Sequence, residues 1–125
     1  MNWDNYPNFT EAEFVCKHTG KVYMRESFME RLQLLRNAYG KPMYISSGYR
    51  DPTHPTEAIK AEPGAHTTGH AADIAISGRD AVKLLKLALN GGFTGIGIQQ
   101  KGGGRFIHLD DASPLHFPRP MIWSY

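Results

Sequence analysis

The stretch His66-Thr67-Thr68-Gly69-His70-Ala71-Ala72-Asp73-Ile74-Ala75-Ile76-Ser77 decides how this chain folds. From Ala71 to Ser77 it alternates. Ala72, Ile74 and Ile76 face one way, and Ala71, Asp73, Ala75 and Ser77 face the other, which predicts a strand with one side against a core. A charge set among Ala and Ile is costly without a partner. His66 supplies one: a His and an Asp at this spacing can both reach one metal ion if the chain turns at Gly69 before entering the strand.

A second stretch answers the first. In Phe106-Ile107-His108-Leu109-Asp110, residues Ile107 and Leu109 point inward, while Phe106, His108 and Asp110 share the opposite face. If this strand pairs beside the Asp73 strand, His66, Asp73, His108 and Asp110 meet on one side of a sheet. The small Ala71, Ala75 and Ser77 then leave space for a substrate. Two His and one carboxylate are a recurrent catalytic zinc set, leaving a fourth position for water, whereas four protein ligands would suggest a structural metal. Ser46-Ser47-Gly48-Tyr49-Arg50 adds a cation where another strand gives way to a long loop. Arg50 can bind a substrate carboxylate or stabilise an oxyanion; the simpler reading is a salt bridge that ties the loop. Asp110 has three open readings: a general base, a partner orienting a ligand, or a structural carboxylate. Asp111 alternates away and reads as surface. His70 points to the other face. His116 either lines the cleft or is solvated. Trp3 and Trp123 read as packing residues near the ends of the chain.

Working outward, Thr10-Glu11-Ala12-Glu13 reads as a capping box opening a short helix that carries Phe14, Val15 and Cys16. A longer helix is predicted from about Glu26 to Tyr39, with Phe28, Leu32, Leu35 and Tyr39 on one face, ended by Gly40 and Pro42. Met43–Ser46 is a short strand, and Gly48–Gly64 is a long loop. A helix from about Asp80 to Asn90 is expected to bury Val82, Leu85, Ala88 and Leu89. Ile96 and Ile98 mark a strand, Gly102–Gly104 a turn, and Arg105–Asp110 the last strand. Beyond it, Pro114, Pro118 and Pro120 predict an irregular tail. The expected fold class is α+β, a small and largely antiparallel sheet with flanking helices, in a single domain over residues 1–125.

Composition sets outer bounds. With 41% hydrophobic and 21% charged residues in 125, the chain is an ordinary globular sequence rather than a disordered one. A net charge of +2, without a Lys/Arg stripe, gives no ground for a nucleic-acid partner. One cysteine excludes an internal disulfide. No apolar run approaches a membrane span, and the opening residues carry no secretory signal. A monomer is expected. A target outside the membrane would need delivery by another factor or carriage on a virion.

His66, Gly69, Ala71 and Asp73 match the His-x-x-Gly-x-Ala-x-Asp pattern of the zinc D-alanyl-D-alanine peptidase family. Ser47-Gly48-Tyr49-Arg50 and Phe106-Ile107-His108-Leu109-Asp110 resemble two further blocks of that family, in the same order. The resemblance runs from roughly Phe9 to Asp110 and is closest to short single-domain members, often encoded by phages and bacteria.

That resemblance implies zinc as cofactor, held by His66, Asp73 and His108. It also implies Arg50 near the substrate, with Ser47 and Tyr49 of the same block as further substrate contacts. The fold would be the one shared with hedgehog signalling domains, and the substrate a peptidoglycan stem peptide, cut as a D-alanyl carboxypeptidase or as an endopeptidase. Asp110 is the first choice for the base, with Arg50 as its catalytic companion. Several relatives place a Glu three residues before the last ligand; here that position is Arg105, and no acidic residue lies between Asp80 and Asp110. The alternatives are a non-catalytic zinc-stabilised binding module and a structural component of a phage particle.

Overall fold

The computed structural model describes all 125 residues. Helix α1 spans Glu26–Tyr39 and buries Phe28, Met29, Leu32, Leu35 and Tyr39, the face its sequence period predicts. A one-turn helix, α2, covers Pro55–Ala58, and α3 covers Gly78–Asn90. Five strands follow the chain as β1 Tyr44–Ser47, β2 Ala71–Ala75, β3 Gly95–Gln99, β4 Phe106–Asp110 and β5 Met121–Ser124. They form one sheet in the order β1-β2-β4-β3-β5, antiparallel throughout except for β5, which runs parallel to β3. The fold is α+β with a largely antiparallel sheet. No helix is long and apolar enough to cross a membrane.

Strand alternation splits the sheet into two faces with different tasks. Ala72 and Ile74 of β2, Ile96 of β3, and Ile107 and Leu109 of β4 join one core with Phe28 and Leu32 of α1 and Ala81, Leu84 and Ala88 of α3. Tyr6, Phe9 and Phe14 from the N-terminal segment complete that core. The other face carries Asp73, His108 and Asp110, which no apolar layer could accept without partners.

Four expectations change. The helix foreseen at Thr10–Cys16 is a single 3-10 turn, Glu11–Phe14, because Val15 is already extended. The Glu13 carboxylate still accepts from the Thr10 N–H at 2.8 Å. The loop after Gly48 contains α2: Pro55 occupies its first position, where a missing N–H costs nothing, and His54 Nδ1 accepts from the Thr56 N–H at 3.1 Å. In α3, Ala81, Leu84 and Ala88 are buried, whereas Val82 and Leu89 are 55% and 56% exposed. The run of aliphatic residues offers two stripes, and the one carrying small Ala81 and Ala88 lets the helix lie close to its neighbours. Finally, the tail is not irregular, since Met121–Ser124 pairs with β3.

Candidate metal centre

Asp73, His108, Gly97 and Trp123 stand opposite one another on β2, β4, β3 and β5, a single rung across the sheet. Neighbouring strands lie about 4.8 Å apart, so the rung brings Asp73 and His108 side by side on the same face. His66 arrives from a 3-10 turn, Ala65–Thr68, which Gly69 closes at φ 79°. A side chain at Gly69 would stand 2.5 Å from the Tyr23 carbonyl oxygen, and its own carbonyl accepts the Arg25 N–H at 3.0 Å. That turn folds His66 back over the start of β2, as the sequence pattern requires.

The three side chains, all buried, form a group that could hold a metal ion. Asp73 Oδ1 lies 3.1 Å from His66 Nε2 and 3.0 Å from His108 Nδ1, and the two ring nitrogens are 3.2 Å apart. Each imidazole spends its other nitrogen elsewhere. His66 Nδ1 donates to the Gly48 carbonyl at 2.7 Å, and His108 Nε2 donates to Asp110 Oδ2 at 2.6 Å. In the neutral rings these bonds leave lone pairs on His66 Nε2 and His108 Nδ1, both aimed at a carboxylate oxygen. Three acceptors facing one point require a positive charge between them. Ligands at about 2.0–2.1 Å from a tetrahedral zinc would stand roughly 3.3 Å apart, so the donor set fits that ion in type and in span.

The titration behaviour of the residues reflects the same demand. Burial alone would raise the Asp73 pKa, but in the metal-free protein, where a proton takes the place of the cation, hydrogen bonds from His108 and His66 outweigh it and hold the carboxyl well below the usual range. Burial works against the charged form of His108, yet its bonds to Asp110 and Asp73 raise its pKa above the ordinary histidine value.

Asp110 sits behind His108 rather than over the cleft. It is fully buried, and its carboxylate is shared among His108, the Ala112 N–H at 3.2 Å and Arg119, whose Nε and Nη2 each approach it at 2.8 Å. Of the three roles the sequence leaves open, its position suits a partner of the ligand: with its oxygens engaged by His108 and Arg119, it is placed to orient the His108 ring. Asp111 is not a surface residue either. It bonds Arg31 Nη1 and His70 Nδ1, both at 2.8 Å, which also accounts for His70 pointing away.

The acceptor group opens onto a cleft of about 580 Å³. Arg50 and Lys60 line one side, and Phe106, Trp123 and Tyr125 line the other. Arg50 meets the expectation of nearness and also its bland counterpart, because Nη1 reaches Glu57 at 3.3 Å and Nη2 stands 3.6 Å from Asp73 Oδ2. Ser47 and Tyr49 fall outside the lining. Tyr49 packs against the core, its ring 6.3 Å from Tyr23. His116 is exposed and outside the cleft. Arg105 is exposed too, its Nε bonding the Gly102 carbonyl, so no group takes the place of the Glu found in several relatives.

Sequence reasoning missed Lys60, Arg119 and Tyr125, and placed Trp123 in packing alone. Trp123 lies 5.0 Å from the His108 ring, with the Arg119 guanidinium 5.3 Å from its centroid. The available signal was Gly95-Ile96-Gly97-Ile98. A strand with bare positions on its polar face leaves room for something laid across it. A side chain at Gly95 would land on the Asp110 carboxylate, and one at Gly97 would stand 2.7 Å from Trp123 Nε1.

A buried His-Asp-His group on a sheet face, open to a cleft, is the kind of donor set that could hold a catalytic metal ion. Residues 7–110 match the peptidase M15 family, and the chain belongs to that family. No curated protein matches it.

Proposed function

We propose that this protein is a zinc-dependent peptidase that hydrolyses a peptide bond in peptidoglycan stem peptides containing D-alanine. The observation that carries the reading is the convergence of the His66, Asp73 and His108 acceptors at the floor of an open cleft. Zinc held there supplies Lewis-acid polarisation of the scissile carbonyl and activation of water. Around it, His108 is held in one tautomer by Asp110, and His66 by the Gly48 carbonyl. Arg50 and Lys60, both tied to Glu57, give that side of the cleft a positive character suited to a carboxylate-bearing peptide.

Digestion of purified peptidoglycan by zinc-loaded protein, with product masses, tests this. The expected products are peptides cut at a D-alanyl bond, each cut adding one water. A specific observation favours a second reading, that of a non-catalytic zinc-stabilised module: apart from Asp73, no carboxylate lines the cleft. Retained binding to an undigested wall would establish that reading and remove the first.

The role of Asp110 has its own test. Asp110→Asn is expected to lower zinc affinity roughly tenfold to a hundredfold, while kcat at saturating zinc stays near wild type. A chelator competition titration beside steady-state kinetics measures both. A fall in turnover of about two to four orders of magnitude at unchanged affinity would return Asp110 to the role of base.

A further inference from the structure

The polar groups around the cleft are mostly committed. Arg119 is spent on Asp110, Lys60 on Glu57, and Arg50 on Glu57 and Asp73. Tyr125 is different. It lines the cleft together with His66, Asp73 and His108, and its ring is fixed 5.1 Å from Phe106. The residue is half-exposed, and its hydroxyl lies over Gly97, where a side chain would stand 2.8 Å from it. Gly97 is the residue paired with His108, so the hydroxyl sits over the same rung of the sheet, one strand across from His108. No carboxylate of the protein claims it. Trp123 Nε1 stands beside it over the same glycine, and an indole N–H is a donor only, so it cannot take the hydroxyl hydrogen. Burial raises the pKa of the phenol, so this hydrogen is kept at neutral pH.

We infer that Tyr125 is a catalytic residue of this site, its hydroxyl donating a hydrogen bond to the scissile carbonyl oxygen as the carbon becomes tetrahedral. The inference rests on the peptidase reading above. In the reaction the water oxygen bonds to the carbonyl carbon, the C–N bond breaks, and the hydrogens of that water leave with the acid and amine products. Tyr125 keeps its own proton throughout. A preorganised donor of this kind acts where charge develops, so its effect falls on the chemical step more than on substrate binding.

The test is Tyr125→Phe, which preserves the ring packed on Phe106. Zinc content and thermal stability should match wild type. With peptidoglycan peptides, kcat should fall about a hundredfold with KM little changed. Calorimetry on the zinc-loaded protein gives a readout independent of turnover. A phosphinate dipeptide analogue, tetrahedral at phosphorus, should bind about a hundredfold more weakly to the variant, while the planar product dipeptide binds both proteins alike. Wild-type kcat and phosphinate affinity in the variant would overturn the role of Tyr125 alone. Loss of zinc or of the fold in the variant would overturn it too, by making the residue structural. If the wild-type protein neither cleaves nor binds the phosphinate, the peptidase reading fails and takes this inference with it.

Discussion

His66→Ala combined with Asp73→Ala is expected to abolish zinc retention and turnover together. Two of the three converging donors are then gone, and His108 alone cannot hold the ion. Protein purified without chelator should carry about one equivalent of zinc in the wild type and essentially none in the double variant. The loss should also appear in the melt. A metal present at a hundred times its Kd stabilises the folded state by about 2.7 kcal/mol, which for a domain of this size is a Tm difference of roughly 10 °C. Wild type treated with chelator should therefore melt well below the zinc form.

The metal-free wild type carries a pH signature as well. The folded pKa of His108 is raised above 6.5, so its contribution to stability is present below that value and lost as pH rises through the folded pKa. Asp73 and Asp110 are depressed below 3.8, so theirs is present above 3.8 and lost as pH falls through their folded values. Without metal, stability should peak between about 3.8 and 6.5. Zinc binding should instead strengthen from pH 6 to pH 8, because its ligands must be free of protons. Unchanged zinc content in the double variant would defeat the ligand assignment.

Gly95→Ala is expected to destabilise this protein strongly. The new Cβ would fall on the Asp110 carboxylate, which has no room to retreat because Arg119, His108 and the Ala112 N–H hold it from other sides. Displacing it leaves Arg119, whose side chain is 7% exposed, without its counter-charge. Breaking a buried pair in this way costs about 3–5 kcal/mol. Gly103→Ala, where an added Cβ meets nothing within 4 Å, should stay within about 0.5 kcal/mol of wild type. Urea denaturation of the two variants decides the matter, and equal midpoints would show that Asp110 is not held as described. Zinc affinity in the Gly95 variant should fall with stability, since the His108 ring loses the group that orients it.

Much of the sheet was legible because alternation and burial are the same fact in a half-buried strand. Ala72 and Ile74, or Ile107 and Leu109, have no other face to choose once Asp73 and His108 must avoid the core. Helix α1 was legible for a similar reason, its apolar residues defining a single stripe. The existence of helix α3 was legible but its buried face was not, because Val82, Leu84, Leu85, Leu87 and Leu89 admit two stripes, and only packing against α1 and the sheet selects between them. Strand β5 was hidden by Pro118 and Pro120, read as signs of an irregular tail although they merely precede the strand. Its parallel pairing with β3 is also a long-range choice that no local pattern announces. At the site, the convergence of His66, Asp73 and His108 into a group that could hold a metal was readable from ligand chemistry and spacing. The role of Asp110 was not, because sharing a strand face with His108 fixes direction but not depth. Only the position of Arg119, brought back by the turn into β5, shows that the carboxylate is enclosed.

Strand β5 gives this fold a division of labour along the chain. The donors on β2 and β4 and the turn at His66 are fixed by the register of the central strands, which tolerates little change. Met121 lies on an outer strand attached along one side only, Tyr125 directly follows that strand, and both side chains line the cleft. Replacing them would reshape what the cleft accepts while leaving the central donors in register. A hydrolytic centre built this way can be re-aimed at a new peptide by editing a few residues at the sheet's rim, so selection on substrate choice and selection on metal binding act on separate stretches of sequence.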